Sequence, residues 1–289
     1  LRNASFMENL AMEKILLAID ALEPNENALK FACYLGHLTK SKITAVFLEN
    51  LLDEVRPVQK DLQGRAIMFS DREDAAANIT KRARIEQNIS TFKDQCLNSG
   101  VSFIVHRDRG LPAHDLIKES RFADVLVMDA GTSFNKRFED SPTGFVRDIL
   151  QKAECPVIIS PERFEELNEV IFAYDGSASA VFAIKQFTYL FSQLQDKKII
   201  ILQVNDTGEW QDPDKHKFNE WLKDHYTNLH FEAVKGKIDE KLFAYIFNRK
   251  NMFLVMGSYG RNALSRFFAG SHADPLIRAI TQPIFIAHF

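Results

Sequence analysis

Short apolar runs alternate with longer amphipathic stretches along the whole chain. Lys14-Ile15-Leu16-Leu17-Ala18-Ile19-Asp20 is one such run, ending in Asp. Glu169-Val170-Ile171-Phe172-Ala173-Tyr174-Asp175 is another. A polar turn follows each, and then apolar residues at helical spacing, over 27–38 and over 180–194. A second β-rich run comes next in both halves, at 43–50 and 198–205, in constant register with Asp20 and Asp175. A third lies at 102–105 and 229–234, and a fourth at 123–128 and 251–256. A fifth follows a proline, at 156–160 and 283–287. Apolar strands alternating with helices indicate βαβ units, and near-continuous Val/Ile/Leu runs indicate strands buried on both faces of a parallel sheet.

The repeat predicts an α/β protein of two tandem units. Each is a five-stranded, doubly wound parallel sheet of order 3-2-1-4-5 with helices on both faces. The expected boundaries are a loose leader at 1–11, a first unit at 12–162 and a second at 167–289. The two sheets are expected to be separate, not one continuous sheet. The halves differ in one place. Met128 follows Asp20 by 108 positions and Met256 follows Asp175 by 81, so the first half carries 27 extra residues after its second strand. The charged segment 71–93 within them, with Ala75-Ala76-Ala77, favours a solvated helix. The alternative is a dedicated partner-binding arm.

Composition narrows the function classes. A chain of 289 residues holds two domains of ordinary size, each able to bury a core. With 36 Lys and Arg against 39 Asp and Glu, the net charge of −3 lacks the basic bias of a nucleic-acid binder. No apolar run approaches ~18 residues, so no membrane span is expected, and residues 1–20 do not read as a signal peptide. Three widely spaced cysteines, Cys33, Cys96 and Cys155, without a CxxC, argue for reduced, mostly buried thiols in a cytoplasmic protein. His225 and His230 have no patterned Cys or acidic partner, so no metal site is expected. No motif pairs a nucleophile with a general base, so no catalytic residue is assigned.

The candidate chemistry lies after the fourth strand of the second half, which ends Met256-Gly257-Ser258-Tyr259-Gly260. Gly270-Ser271 follows, and then a helical pattern through 275–280. A strand entering a glycine loop and then a helix is a phosphate-cradle arrangement. Glycines let backbone N–H groups approach an anion, and a helix N-terminus adds unpaired donors and a positive dipole end. Ser271 can cap that helix or donate to a phosphate oxygen. The Asp175 turn ends on the same edge of the sheet, where open α/β sheets bind ligands. The glycines would also serve a tight strand-to-helix turn without a ligand, and Asp175 would also serve as a helix cap.

These motifs resemble those of the universal stress protein family. Gly257, Gly260, Gly270 and Ser271 match its G-x2-G-x9-G-[S/T] pattern without a gap, and Asp175-Gly176-Ser177 matches the end of its first strand. Gly110-Leu111-Pro112-Ala113 and Cys155-Pro156 match two further family turns. The resemblance covers residues 12–289 and implies two Rossmann-like, adenine nucleotide alpha hydrolase-like domains. It also implies a pseudo-dimer within the chain, whose fifth strands pair or abut, and leaves room for a homodimer. It implies that ATP or another adenine nucleotide, with or without Mg2+, binds the second half. Tyr174 and Asp175 would lie near adenine and ribose, Val204 would border the adenine, and Met256, Gly257, Gly260, Gly270, Ser271 and His272 would line the ribose-phosphate path. Tyr259 and His272 depart from the family's usual residues at their positions.

The first half departs further. Asp129 and Thr132 stand at the first two glycine positions, and Pro142-Thr143-Gly144 is shifted at the third. Asp129 would set a carboxylate beside a phosphate path, at a Coulomb cost of about 1 kcal/mol or more. Pro142 has no backbone donor. This half therefore reads as a degenerate site. The expected function is a cytoplasmic stress-response sensor or regulator that binds one adenine nucleotide in its second half, with protein partners unidentified. The alternatives are a slow ATP hydrolase or phosphotransferase at the same loop, and a nucleotide-free scaffold.

Overall fold

The computed structural model describes residues 12–50, 58–60, 66–68, 76–135, 138–247, 249–257 and 282–287. The first half supplies β1 (Lys14–Asp20), β2 (Lys42–Asn50), β3 (Val58–Lys60), β4 (Ala66–Met68), β5 (Phe103–Gly110), β6 (Val125–Met128) and β7 (Val157–Ile159). Its helices are α1 (Glu26–Thr39), α2 (Ala76–Asn98), α3 (Pro112–Ser120) and α4 (Gly144–Lys152). The second half supplies β8 (Glu169–Ala173), β9 (Lys198–Asn205), β10 (Leu229–Lys235), β11 (Met252–Met256) and β12 (Ile284–Ile286), with α5 (Ala178–Leu190), α6 (Lys215–Lys223) and α7 (Ile238–Phe247).

Within each half the strands keep the expected order. The first runs β5-β2-β1-β6-β7 and the second β10-β9-β8-β11-β12, with all neighbours parallel. The expectation of two separate sheets is corrected. β7 and β12 pair antiparallel, Ile159 opposite Ile284 and Val157 opposite Ile286, so ten strands form one continuous sheet. The reason is the state of the two end strands. Both are short, apolar and fully buried, and an unpaired edge there would leave backbone donors and acceptors buried without partners. Pairing with each other satisfies both.

Strand alternation sorts side chains onto the two faces. Ile15, Leu17 and Ile19 of β1 enter one apolar layer and Leu16 and Ala18 the other. The first layer is covered by α1, α2, α5 and α6, through residues such as Phe31, Phe92, Phe187 and Phe218. The second is covered by α3, α4 and α7, through Leu116, Ile149 and Leu242. Helices therefore cover both faces, and each layer contains residues of both halves. Phe31 of α1 makes edge contacts with Phe253 of β11 at 6.2 Å.

The extra segment of the first half contains the two-stranded antiparallel sheet of β3 and β4 and the helix α2. Helix α2 buries Ile85, Ile89, Phe92 and Cys96, one residue per turn, and faces the core along that stripe. Its polar side carries the charge run seen in the sequence. Asn88 also reaches back from α2 to donate to the carbonyls of Ala21 and Leu22 at 2.8 and 3.2 Å.

Candidate functional site

Each half has a switch point, where consecutive connections leave a central strand toward opposite sides of the sheet. In the second half it lies at β8, flanked by β9 and β11. The crevice outside the carboxyl ends of these strands is where an open α/β sheet takes ligands. Tyr174 and Asp175 leave β8, Val204 lies near the end of β9, and Met256 and Gly257 end β11. All five line one pocket there, with Leu202 and with Ile238 and Leu242 of α7 completing its apolar wall. The remaining sequence candidates, Gly260, Gly270, Ser271 and His272, lie outside the described residues.

The local geometry explains two of these positions. The Asp175 carboxylate accepts from the Ser177 N–H at 2.9 Å, and the Ser177 hydroxyl accepts from Ala180 N–H at 3.1 Å, which caps α5. Gly176 between them has φ +80°, a left-handed conformation suited to glycine. Asp175 thus shapes the turn but does not cap α5, a role that Ser177 takes instead of the one expected for Asp175, and its side chain stays exposed beside the pocket. Gly257 is needed for close approach. A Cβ there would lie 2.6 Å from the Ser179 carbonyl carbon and oxygen, so only glycine lets β11 meet the start of α5.

Tyr174 has a role that the sequence did not show. Its ring stacks on Trp210 at 5.5 Å and on Phe218 at 4.7 Å, and its hydroxyl donates to the Asp212 carboxylate. Burial, reinforced by that hydrogen bond and by Asp212's charge, pushes the phenol well above its ordinary range. Lys215 extends this nest, with its ammonium 5.2 Å from the centre of Trp210 and 5.0 Å from that of Phe231. Trp210, Asp212 and Phe218 lie in the loop and helix after β9. They carry no motif, and only the turn of that loop, pinned by Asn205 accepting from the N–H groups of Thr207 and Gly208, brings them over Tyr174.

The first half has its own cleft at the β1 switch point, between Asp20, Asn25, Asp129, Gly131, Glu139 and Thr143. Its volume is about 660 Å³, against about 20 Å³ for the pocket of the second half. The larger cleft is acidic. The Asp20 carboxylate accepts from Leu22 and Glu23 N–H, and the Asp129 carboxylate from Gly131 N–H at 2.9 Å. Burial raises both carboxyls above the ordinary carboxylate range, and those backbone donors oppose the rise. Asp129 therefore takes backbone donors that a phosphate would need. The loop closes on itself further on, where the Thr143 hydroxyl donates to the Thr132 carbonyl at 2.5 Å.

Among the described residues no helix is long and apolar enough to cross a membrane. No protein-family model matches the chain. It is 28% identical over 287 residues to the universal stress protein Slr1230 of Synechocystis sp., an alignment that spans 94% of this chain and 99% of that protein. Its fold is similar to that of a universal stress protein from Archaeoglobus fulgidus, with a TM-score of 0.66 at 21% identity, covering 95% of this chain and 96% of the other. A putative universal stress protein from Pseudomonas aeruginosa also shares the fold, with a TM-score of 0.53 at 12% identity over 96% and 94% of the two chains. The full-length sequence match, the doubled 3-2-1-4-5 sheet and the glycine pattern after β11 agree, and along nearly its whole length the chain is similar to universal stress proteins.

Proposed function

We propose that the second half binds ATP or a related adenine nucleotide and that the protein acts as a cytoplasmic stress-response sensor or regulator. The observation that carries this reading is the position of Gly257. It begins the G-x2-G-x9-G-[S/T] spacing and stands at the carboxyl end of β11, beside Asp175 and Val204, at the switch point of the sheet. In this reading Val204 and the apolar wall take the base, and Asp175 takes the ribose. Met256, Gly257, Gly260, Gly270, Ser271 and His272 line the path of the phosphates, where Mg2+ would accompany them. Tyr174 acts from below, holding the Asp175 turn through its stack on Trp210 and Phe218. Residues 12–162 and 167–289 form the two domain units, the first acting as the packing partner of the second.

The volume of the first-half cleft favours a second reading, in which that cleft takes a ligand of its own. Its carboxylates disfavour phosphates there, so an uncharged or cationic small molecule fits better. Calorimetric titration with ATP separates the two readings. One nucleotide should bind per chain, and Gly260→Glu should abolish binding with the melting temperature unchanged, because the new side chain fills and charges the phosphate path. Two equivalents per chain, or unchanged affinity in Gly260→Glu, overturns the assignment. Incubation with labelled ATP and Mg2+ tests the enzyme alternative, since a binder returns the nucleotide intact.

A further inference from the structure

Two of the three cysteines meet in the core. Cys33, on the inner side of α1, and Cys96, in the last turn of α2, place their sulfurs 3.8 Å apart, although 63 positions separate them in the sequence. Both are free thiols, buried in the same apolar layer. Cys155 is buried in the other layer, across the sheet. A disulfide needs its sulfurs about 2.05 Å apart and its Cβ atoms about 3.8 Å apart. Bond formation therefore requires the sulfurs to close from 3.8 Å, by side-chain rotation together with a small helix movement. The surface is near, because α2 ends at Asn98 and is followed by half-buried Ser99 and exposed Gly100.

We propose that Cys33 and Cys96 are a redox modification site, a dithiol that hydrogen peroxide converts to a disulfide joining α1 to α2. The Cys33 thiolate attacks one peroxide oxygen, the O–O bond breaks, and the departing hydroxide takes a proton to become water. The Cys33 sulfur is left as a sulfenic acid. The Cys96 sulfur then attacks it, the S–S bond forms and the S–O bond breaks, and the leaving hydroxide takes the Cys96 proton as a second water. Overall two thiols and one peroxide give one disulfide and two waters, each sulfur losing one electron and each peroxide oxygen gaining one.

The surroundings fit this order. The contact with Cys96, in which either thiol can donate, and a hydrogen bond with Ser99 together hold the Cys33 thiol below its ordinary range despite burial. The same contact and burial push the Cys96 thiol up, so Cys33 is the attacking sulfur and Cys96 the resolving one. Burial, aided by Asp124's charge, raises the Cys155 thiol to about 12, and no second cysteine lies on its side of the sheet. The bond would also fix the cleft of the first half. Asn25, the N-cap of α1, lines that cleft, and Asn88 of α2 already holds the turn at Ala21 and Leu22.

The test treats the native full-length chain with hydrogen peroxide in the absence of denaturant, then alkylates the remaining thiols after unfolding. The expected result is a loss of two hydrogens in intact mass, a fall in free thiols from three to one, and a Cys33–Cys96 cross-linked peptide on non-reducing digestion. The oxidised form should melt higher, by on the order of 5 °C, and dithiothreitol should reverse the shift. Cys155→Ser should still form the cross-link, whereas Cys33→Ser and Cys96→Ser should not. Retention of all three thiols while added glutathione is consumed would overturn the proposal. So would oxygen addition without a cross-link, or a cross-link that forms only at denaturant concentrations that unfold the chain.

Discussion

At Gly257 a single added methyl group would meet backbone, with the Ser179 carbonyl at 2.6 Å and the Ala180 nitrogen at 2.7 Å. Neither atom can swing aside as a long side chain would. Gly257→Ala should therefore destabilise the protein by about 2–3 kcal/mol in urea unfolding. Gly176 makes the contrast. A Cβ there meets nothing within 4 Å, but φ is +80°, so Gly176→Ala should cost only about 1 kcal/mol, from backbone strain. Asp129 poses a question of pH. Burial holds its folded carboxyl above the ordinary value, so the native state disfavours the ionised form. That penalty is present at neutral pH and is relieved as the pH falls through the folded value toward the unfolded one. Asp129→Asn keeps an acceptor for the Gly131 N–H and removes the charge. It should stabilise the protein at pH 7, with the gain shrinking as the pH is lowered into the carboxyl range. A gain that is constant with pH in paired denaturation curves would show that the charge is not the cause.

Individual elements are set by their ends as much as by their apolar stripes. Helix α4 starts at Thr143, whose hydroxyl accepts from Val146 N–H at 3.2 Å and donates to the Thr132 carbonyl, in a buried position. Helix α5 starts at Ser177, with one capping bond and more exposure. Both caps satisfy an otherwise orphaned N–H, but Thr143 also ties down the loop below the first-half cleft. Thr143→Ala should cost about 1–2 kcal/mol and Ser177→Ala about 1 kcal/mol or less. Equal losses in chemical denaturation would mean that the Thr132 contact adds nothing. Helix α2 follows the same logic on a larger scale. Its stripe of Ile85, Ile89, Phe92 and Cys96 anchors it, and its charged face carries Glu86, paired with Arg107 at 2.6 Å.

Over the whole molecule the seam between β7 and β12 decides how the halves unfold. The apolar layer on one face runs from Ile15 through Phe31 and Phe253 to Leu222 without a break. Phe285 lies opposite Ile158 on the seam and packs edge-on against Phe187 at 5.3 Å. Cooperative unfolding of both halves follows from a continuous sheet and shared layers. Fluorescence reports the second half, which contains both tryptophans, Trp210 and Trp221, while far-UV circular dichroism reports both halves. The two probes should give coincident transitions. Phe285→Ala should move both curves together, by about 3–5 kcal/mol. Separate midpoints would show that the halves unfold independently despite the seam.

The sequence by itself determined the repeat, the strand order within each half, the helices on both faces and the order of the glycine motif, because hydrophobic periodicity and fixed motif spacing are local properties. It also showed Asp175 at the end of the first strand of its half, where the structure makes it the acceptor of a tight turn and gives the helix cap to Ser177. Only the tertiary structure decided the rest. The family resemblance left the fifth strands to pair or abut; the structure pairs β7 with β12 and so closes the two sheets into one, because buried edge groups far apart in sequence must find partners. Tyr174 became the floor of an aromatic nest, because the loop after β9 folds Trp210, Asp212 and Phe218 onto it. Asp129 proved to occupy the backbone donors of its own loop, and Cys33 met Cys96 across 63 positions. No hydrophobic periodicity encodes any of these contacts, and the long-range ones are selected only when strands and helices pack together.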